Sequence, residues 1–530
     1  MTESSKLCAF LGSAAKAVSE TFVKSGLYAV LLAIVNFFAD SYAASGLRKI
    51  LVGKGDIERF APDSAFYKGL GGIAGGMIGF FAGICRALRT GVKDSAAVKL
   101  FYAVFGGSYH ERYLYFVSFV CVFIFVIPHN FWSNTFGLLF AALLFGLYIL
   151  AVSGEKLRPG TNFNAVWFSM LMFGLSLLAS CFISYNRADS VRVLMFFITS
   201  FMLCMVLYAS LRAARDFDII GGFMYASLIF TSLIAFAQRI MGVEADASLT
   251  DLTLNKDMPG RVFSTLGNPN NYAEFLVLFM PFAFAFALSR AKGTVIRRAL
   301  ICGMVLPLGA ILLTYSRSGW IALAIAAAIF IMLYDKRLIP VFAILGVCAL
   351  PFIPASIWNR ILTIGNLQDS SSSYRVDIWT GCLRMLKEYW FTGVGLGTGG
   401  FAAIYPRYAV GESGVAPHSH MHFMEMLVEL GALGFISYIS LTFCLIRRSF
   451  VASSRMTDAG IRNYAIAAAA SMTGIVLIGC FEYCWFYPRV MFAFFVCAGI
   501  AMAAAKRRSN IRPAERRSNI RGKFSEKGMQ

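Results

Sequence analysis

RRALICGMVLPLGAILLTYSRSGWIALAIAAAIFIMLY, residues 297–334, holds two apolar runs, 297–316 and 318–334, with Arg317 at their junction. Each run is close to the length a helix needs to cross a hydrocarbon layer roughly 30 Å thick. Neither run alternates polar and apolar residues, as a strand of an outer-membrane barrel would. Similar runs fall at 113–128, 134–152, 163–184, 191–211, 218–238, 269–289, 338–356, 423–446, 463–480 and 489–505. Together they predict an all-α polytopic membrane protein of about twelve transmembrane helices.

The composition agrees. Of 530 residues, 58% are hydrophobic and 14% charged, and 50 are Phe; soluble domains carry about 25% charged residues. The net charge of +20 would suggest nucleic acid in a soluble chain. Here it matches the excess of Lys and Arg that sets orientation on the cytoplasmic side. The tail KRRSNIRPAERRSNIRGK repeats RRSNIR at 507–512 and 516–521 and reads as a cytoplasmic segment touching anionic lipid. Of the twelve cysteines, those inside apolar runs, such as Cys121 and Cys204, read as small packing groups.

With the basic tail placed inside, counting backwards puts the basic loops 447–455, 335–337, 289–298, 212–215 and 155–158 on the cytoplasmic side. Loops 128–134, 185–190, 241–271, 315–319, 357–422 and 481–489 then fall outside. The expected organisation is an N-terminal region over 1–112, in which 29–39 and 69–84 are apolar but undecided. Spans one to nine follow over 113–356, then a large extracytoplasmic loop over 357–422, the last three spans over 423–505, and a basic tail over 506–530. The loop is far longer than an ordinary connection, so it is expected to carry short helices. RVDIWTGCLRMLKEYW (375–390) has apolar residues at helical spacing, while GVGLGTGG (393–400) reads as a flexible turn and Pro417 as the start of the next span.

Four features gather on the outer side. Arg317 sits between two spans, where a guanidinium is either a snorkelling helix end or part of an anion site. Arg375, with Arg384 and Lys387 nearby, marks either a solvated helix face or a second guanidinium for the same anion, since the planar fork suits phosphate. GRVFSTLGNPNNYAEF (260–275) offers Arg261, Asn268 and Asn271, which can cap a helix or hold hydroxyls, and Glu274, a carboxylate just inside an apolar run. The fourth is HSHMH. His418, His420 and His422 are three of only five histidines, and Glu425 follows, so that His418, His422 and Glu425 would share a helix face. Metal binding, a structural role and proton transfer all fit such a group; a general base is preferred, because imidazole is neutral near pH 7. The glycine run lacks the Lys-Ser/Thr ending of a nucleotide loop.

SYRVDIWTGCLRMLKEYWFTGVGLGTGGF and HSHMHFMEMLVELGALGFISY, with GRVFSTLGNPNNYAEFL and LLTYSRSGW upstream, resemble the O-antigen ligase/polymerase family of membrane glycosyltransferases over roughly 260–445. The resemblance implies a GT-C-like helical fold and transfer of a glycan from an undecaprenyl-diphosphate carrier to an acceptor hydroxyl on a glycan, lipid or protein. It further implies inversion, no metal and no cofactor. It assigns Arg317 and Arg375, with Arg261 as a further candidate, to the diphosphate, and His420 to the base. Met421 stands where relatives carry Asn, and Phe391-Thr392 where they often carry Pro, so the choice among His418, His420 and His422 stays open, as does ligase against polymerase. A transporter or flippase is the alternative of another class. It would carry ionisable residues at mid-span and similar halves, whereas the unusual polar residues here collect at one rim. A metal-dependent membrane hydrolase is a weaker third.

Overall fold

The computed structural model describes residues 20–52, 109–152, 165–243, 260–289, 293–362, 370–411 and 413–506, with isolated positions between 64 and 99. The expected segment 69–84 and the basic tail lie outside them, isolated positions apart. All regular structure among the described residues is helical: α1 Gly26–Ala44, α2 Gly46–Val52, α3 Tyr109–Val126, α4 Asn134–Val152, α5 Ala165–Ile183, α6 Arg187–Ser210, α7 Ala214–Met241, α8 Pro269–Ala287, α9 Thr294–Gly303, α10 Val305–Leu313, α11 Arg317–Asp335, α12 Ile339–Ala349, α13 Ala355–Leu362, α14 Ser370–Tyr389, α15 Thr398–Ile404, α16 His422–Arg455, α17 Ala459–Ile478 and α18 Pro488–Lys506. Nine stretches among the described residues are long and apolar enough to span a bilayer, with 317–349 counted as one and α1 included. The protein is an all-α polytopic membrane protein. Each of the predicted apolar runs is helical, but α11 and α12 are joined only by a 3₁₀ turn at Lys336–Leu338, α3 and α4 fall outside the nine because their apolar stretches are shorter, and α8 because its polar first turn lowers its hydropathy.

Small residues let the inner helices approach. Ala467–Ala470 of α17 are fully buried, and Gly474 faces α8 and α11: a Cβ there would lie 2.7 Å from Val277 and 3.3 Å from Ala326. Ser471 Oγ donates to the Leu278 carbonyl at 2.7 Å, the kind of polar contact that joins helices where no hydrophobic force can. In α18, 94% of the spanning window is buried, against 6% in α1. The first is therefore interior and the second peripheral.

The two ends of the bundle differ in charge. At one end, the start of α17 ties the basic loops: Tyr464 donates to Asp218 at 3.0 Å, Ser289 donates to the same carboxylate, and Arg462 donates to the Ser453 and Leu333 carbonyls. The peripheral pair joins this end, through Tyr28 to the Arg337 carbonyl and through Arg447 and Arg455 to the carbonyls of Ile50 and Val52. At the other end Arg489, fully buried, donates to the carbonyls of Ile127 at 2.7 Å and Thr265 at 2.8 Å and to the Tyr487 hydroxyl at 2.8 Å. It thereby locks three loops that the charge pattern assigns to the same side. Replacing Arg489 by Leu removes these three bonds and leaves the Ile127 and Thr265 carbonyls without this donor. The expected loss is about 2–4 kcal/mol, read as a lowered unfolding midpoint in detergent; an unchanged midpoint would remove Arg489 from this role.

Candidate active site

The chain enters α16 through GVAPHSHMH, and this stretch is not helical until His422. His418, His422 and Glu425 therefore do not share a helix face as expected, and Pro417 lies five residues before the helix rather than at its start. Each histidine occupies a different setting. His422 heads α16 inside an aromatic cage, with ring centroids 4.5 Å from Trp485, 5.0 Å from Tyr438 and 5.5 Å from Tyr483. His418 is buried against Phe486 at 4.5 Å, and its Nδ1 accepts the His420 backbone N–H at 3.1 Å. His420 retains 24% side-chain exposure and holds a left-handed backbone, φ 51°.

Below this turn, buried Glu425 and Glu429 stand one helical turn apart. Glu425 accepts the Ser419 N–H at 2.6 Å, and Glu429 accepts the Gly397 N–H at 2.8 Å and the Tyr483 hydroxyl at 3.0 Å. The glycine run that feeds Gly397 is a close-packed brace where a flexible turn was expected. Gly431 (φ 67°, ψ −173°) interrupts α16, and that break withdraws the helix amides opposite the Val428 and Glu429 carbonyls. The amides of Val394 and Gly395 take these carbonyls at 2.9 and 3.1 Å. A Cβ on Gly395 would lie 2.2 Å from Ser184 Oγ, and one on Gly431 2.1 Å from the Phe391 carbonyl, so only glycine allows the contact.

The arginines arrive from four segments. Loop 260–268 is clamped to α7 by Gln238, which accepts the Ser264 N–H at 2.8 Å and donates to its carbonyl at 3.1 Å. That clamp presents Arg261, whose Nε donates to the Thr314 carbonyl at 2.8 Å and whose Nη2 donates to Asn270 Oδ1 at 2.6 Å. Asn270 Nδ2 donates to Glu482 Oε1 at 3.0 Å. Arg375, from the amphipathic α14, donates to the same oxygen. Glu482 Oε2 lies 3.8 Å from His420 Nδ1. Buried Arg360, from α13, reaches the Tyr315 carbonyl at 3.5 Å, and Arg317, half-buried, opens α11. Burial first, then the charges of Arg360, Arg375 and Arg317, hold the Arg261 guanidinium below the usual arginine range, with Glu482 acting against them.

Of the residues expected from sequence, Arg375 and His420 thus lie beside Glu482, Arg261 reaches it through Asn270, and Arg317 acts electrostatically on Arg261. Asn268 caps α8 by accepting the Asn270 N–H at 2.8 Å, but Asn270, not Asn271, joins the network. Glu274 is buried in α8 with Oε2 unpartnered, in the field of Glu482 and beside Cys484. Arg384 and Lys387 point to the exposed face of α14. Sequence reasoning missed Glu482, Asn270 and Arg360. The one available signal for Glu482 was a lone acid in the aromatic loop FEYCWFYPR. All three non-glycine residues with positive φ among the described residues, Ser264, Tyr315 and His420, sit around this network. Strain of about 1–3 kcal/mol per residue persists only where the surroundings fix it, and such positions cluster at functional sites.

Charge states follow from these contacts. Burial alone would raise the Glu482 carboxyl, but Arg375 and His420 overcome it and hold the group at about 2. Burial, followed by His420, depresses the His418 imidazole to about 3. Between pH 6.5 and 3 an unfolded His418 binds a proton that the folded one refuses, so stability falls as pH falls through this window. Glu482 adds its own loss only lower, between about 4.3 and 2. His418→Gln is expected to flatten the decline in unfolding temperature between pH 6.5 and 5; an identical slope would place the acid sensitivity elsewhere.

Residues 302–439 match the family model described as O-antigen ligase. No curated protein matches the chain. The matched region contains Arg317, Arg360, Arg375 and the three histidines, whereas Arg261, Asn270 and Glu482 come from outside it.

Proposed function

We propose that this membrane protein, a member of the O-antigen ligase family through its domain at residues 302–439, transfers a glycan from an undecaprenyl-diphosphate carrier to an acceptor hydroxyl. The observation that carries the proposal is the meeting of Arg375, Arg261 and His420 around Glu482, with Arg317 and Arg360 acting on Arg261. The acceptor oxygen attacks the anomeric carbon and its proton passes to the His420 imidazole. The bond from that carbon to the diphosphate oxygen breaks, and both electrons leave with undecaprenyl diphosphate. Attack opposite the leaving group inverts the anomeric centre.

The charge that develops on the leaving diphosphate is met by Arg261, Arg317 and Arg375. Preorganised donors of this kind are worth about 3–4 kcal/mol each in a water-poor site. Arg317 at the first turn of α11 stands at the positive end of the helix dipole, a position that gains from an adjacent anion. Together these guanidiniums do the electrostatic work that a divalent ion does in other transferases. The strain at His420 and the bond from its amide to His418 favour His420 over its neighbours as the base, since His422 is enclosed by aromatic rings and His418 already uses Nδ1. The basic end of the bundle, with α1 and α2 against it, lies on the cytoplasmic side by the positive-inside rule. The site then faces outward, where the carrier's prenyl chain lies among apolar helices and its head reaches 357–422.

Reconstitution with a lipid-linked oligosaccharide and candidate acceptors, followed by mass analysis of products, tests the assignment. His420→Ala is expected to abolish product in a folded protein, and Arg375→Ala to lower kcat by roughly 10²–10³-fold. Normal turnover by His420→Ala removes the base. Product attached to a foreign acceptor marks a ligase, and lengthened carrier-linked glycan marks a polymerase. Prior treatment with a chelator is expected to leave turnover unchanged; loss restored by a divalent ion would contradict the metal-free mechanism.

A further inference from the structure

Arg375, on which the donor site depends, already holds an anion. Its Nη2 donates to Glu482 Oε1, and Asn270 donates to that same oxygen at 3.0 Å. Glu482 Oε2 lies 3.8 Å from His420 Nδ1, beyond hydrogen-bond range, and this buried nitrogen has no hydrogen-bond partner. One carboxylate therefore fills the place a phosphoryl oxygen would take on one side. On the other it stands about 1 Å short of a charge-assisted bond to the base.

We propose that Glu482 is a positioning residue that occupies Arg375 in the unloaded protein, yields it to the donor diphosphate, and closes on His420 Nδ1 to orient the imidazole for proton uptake at Nε2. This rests on the donor site proposed above. Charge balance supplies the drive. Like-charged guanidiniums crowd this end, and without ligand they need a counter-ion. A bound diphosphate brings its own negative charge, which repels the carboxylate and satisfies Arg375. The geometry supplies the direction. The His420 backbone is fixed by its bond to His418, whereas Glu482 sits in a turn between α17 and α18, next to Phe481, which is 47% exposed. The carboxylate is the partner able to move, and the gap it must close is short. Donor binding and activation of the base are thereby coupled, so that acceptor is deprotonated only in front of a loaded donor.

The test measures binding of undecaprenyl diphosphate to detergent-solubilised full-length protein without acceptor, for wild type and Glu482→Gln. The glutamine keeps the shape and the contact to Asn270 but no longer competes as an anion. It is expected to bind roughly tenfold tighter, equivalent to about 1.4 kcal/mol. In turnover its donor KM falls while kcat drops by roughly 10²-fold, because the base loses its orienting partner. A purely structural role would weaken binding and kcat together. Glu482→Asp keeps the charge but withdraws it by one methylene; it is expected to recover part of kcat and to bind donor more tightly than wild type by a smaller factor. Equal or weaker binding by Glu482→Gln overturns the inference. Should that variant fail to elute as a folded species, equal or weaker binding by Glu482→Asp overturns it. If wild type binds no undecaprenyl diphosphate, the donor reading itself fails; if wild type binds and the variants bind no tighter, only the role of Glu482 fails.

Discussion

Several guanidiniums cannot be gathered at the rim of a helical bundle unless a fixed negative charge lies among them, because neither protein nor lipid solvates cations as water does. Glu482 meets that constraint here. It accepts from Arg375 and Asn270, reaches Arg261 through Asn270, and stands beside His420. Four segments far apart in the chain converge on this one side chain: α8 through Asn270, which carries Arg261, α14 through Arg375, the histidine turn beside it and the turn before α18. A carboxylate held near 2 stays ionised at any working pH, so the counter-charge does not titrate away.

The scaffold beneath it is stiff for identifiable reasons. Gln238 fixes the backbone of Ser264, Arg489 ties Ile127 to Thr265, and the break at Gly431 hands two carbonyls of α16 to the amides of the glycine run. Catalytic groups held within about 0.5 Å need such support. The matched region 302–439 supplies α11, α14, the glycine brace and the histidines, while α7, α8 and the turn before α18 supply the clamp and the counter-charge. A fragment limited to residues 302–439 would lack Arg261 and Glu482 and could not complete the site.

Much of this was legible in the chain. Hydropathy marks a helix wherever lipid or a helical neighbour must be met, so every apolar run is helical and the boundaries of α17 and α18 fall within a few residues of those expected; α16 instead runs on through 447–455, expected as a basic loop, to Arg455, because hydropathy marks where the apolar stretch stops and not where the helix does. Among the described residues, the contacts of Arg462 join Leu333, beside loop 335–337, to Ser453 in loop 447–455, and those of Arg489 join Ile127, beside loop 128–134, to Thr265 in loop 241–271 and Tyr487 in loop 481–489, the grouping that loop charge predicts; the expected loop 155–158 lies outside the described residues. Alternation of basic loops carried that information because it depends on count and not on packing. The spacing in α14 exposed Arg384 and Lys387 and turned Ile378, Cys382 and Met385 inward. What was not legible depends on three-dimensional proximity. No local rule distinguishes Asn270 from Asn271, or tells that a lone glutamate in an aromatic loop will meet an arginine 107 positions away. Glycines that allow a close approach and glycines that allow movement share one composition, so the brace read as a hinge. The 3₁₀ link between α11 and α12 is hidden because DKRL looks like an ordinary cytoplasmic loop.

In the proposed reaction Arg261 and Arg375 hold a diphosphate within reach of His420. Cryo-electron microscopy of the protein in nanodiscs with undecaprenyl diphosphate tests this most directly. Phosphate density is expected to contact Arg375 and Arg261, with the His420 ring facing the place left open for the sugar and acceptor. Diphosphate density bound at the opposite end of the bundle, or ordered density that leaves both guanidiniums untouched, would contradict it.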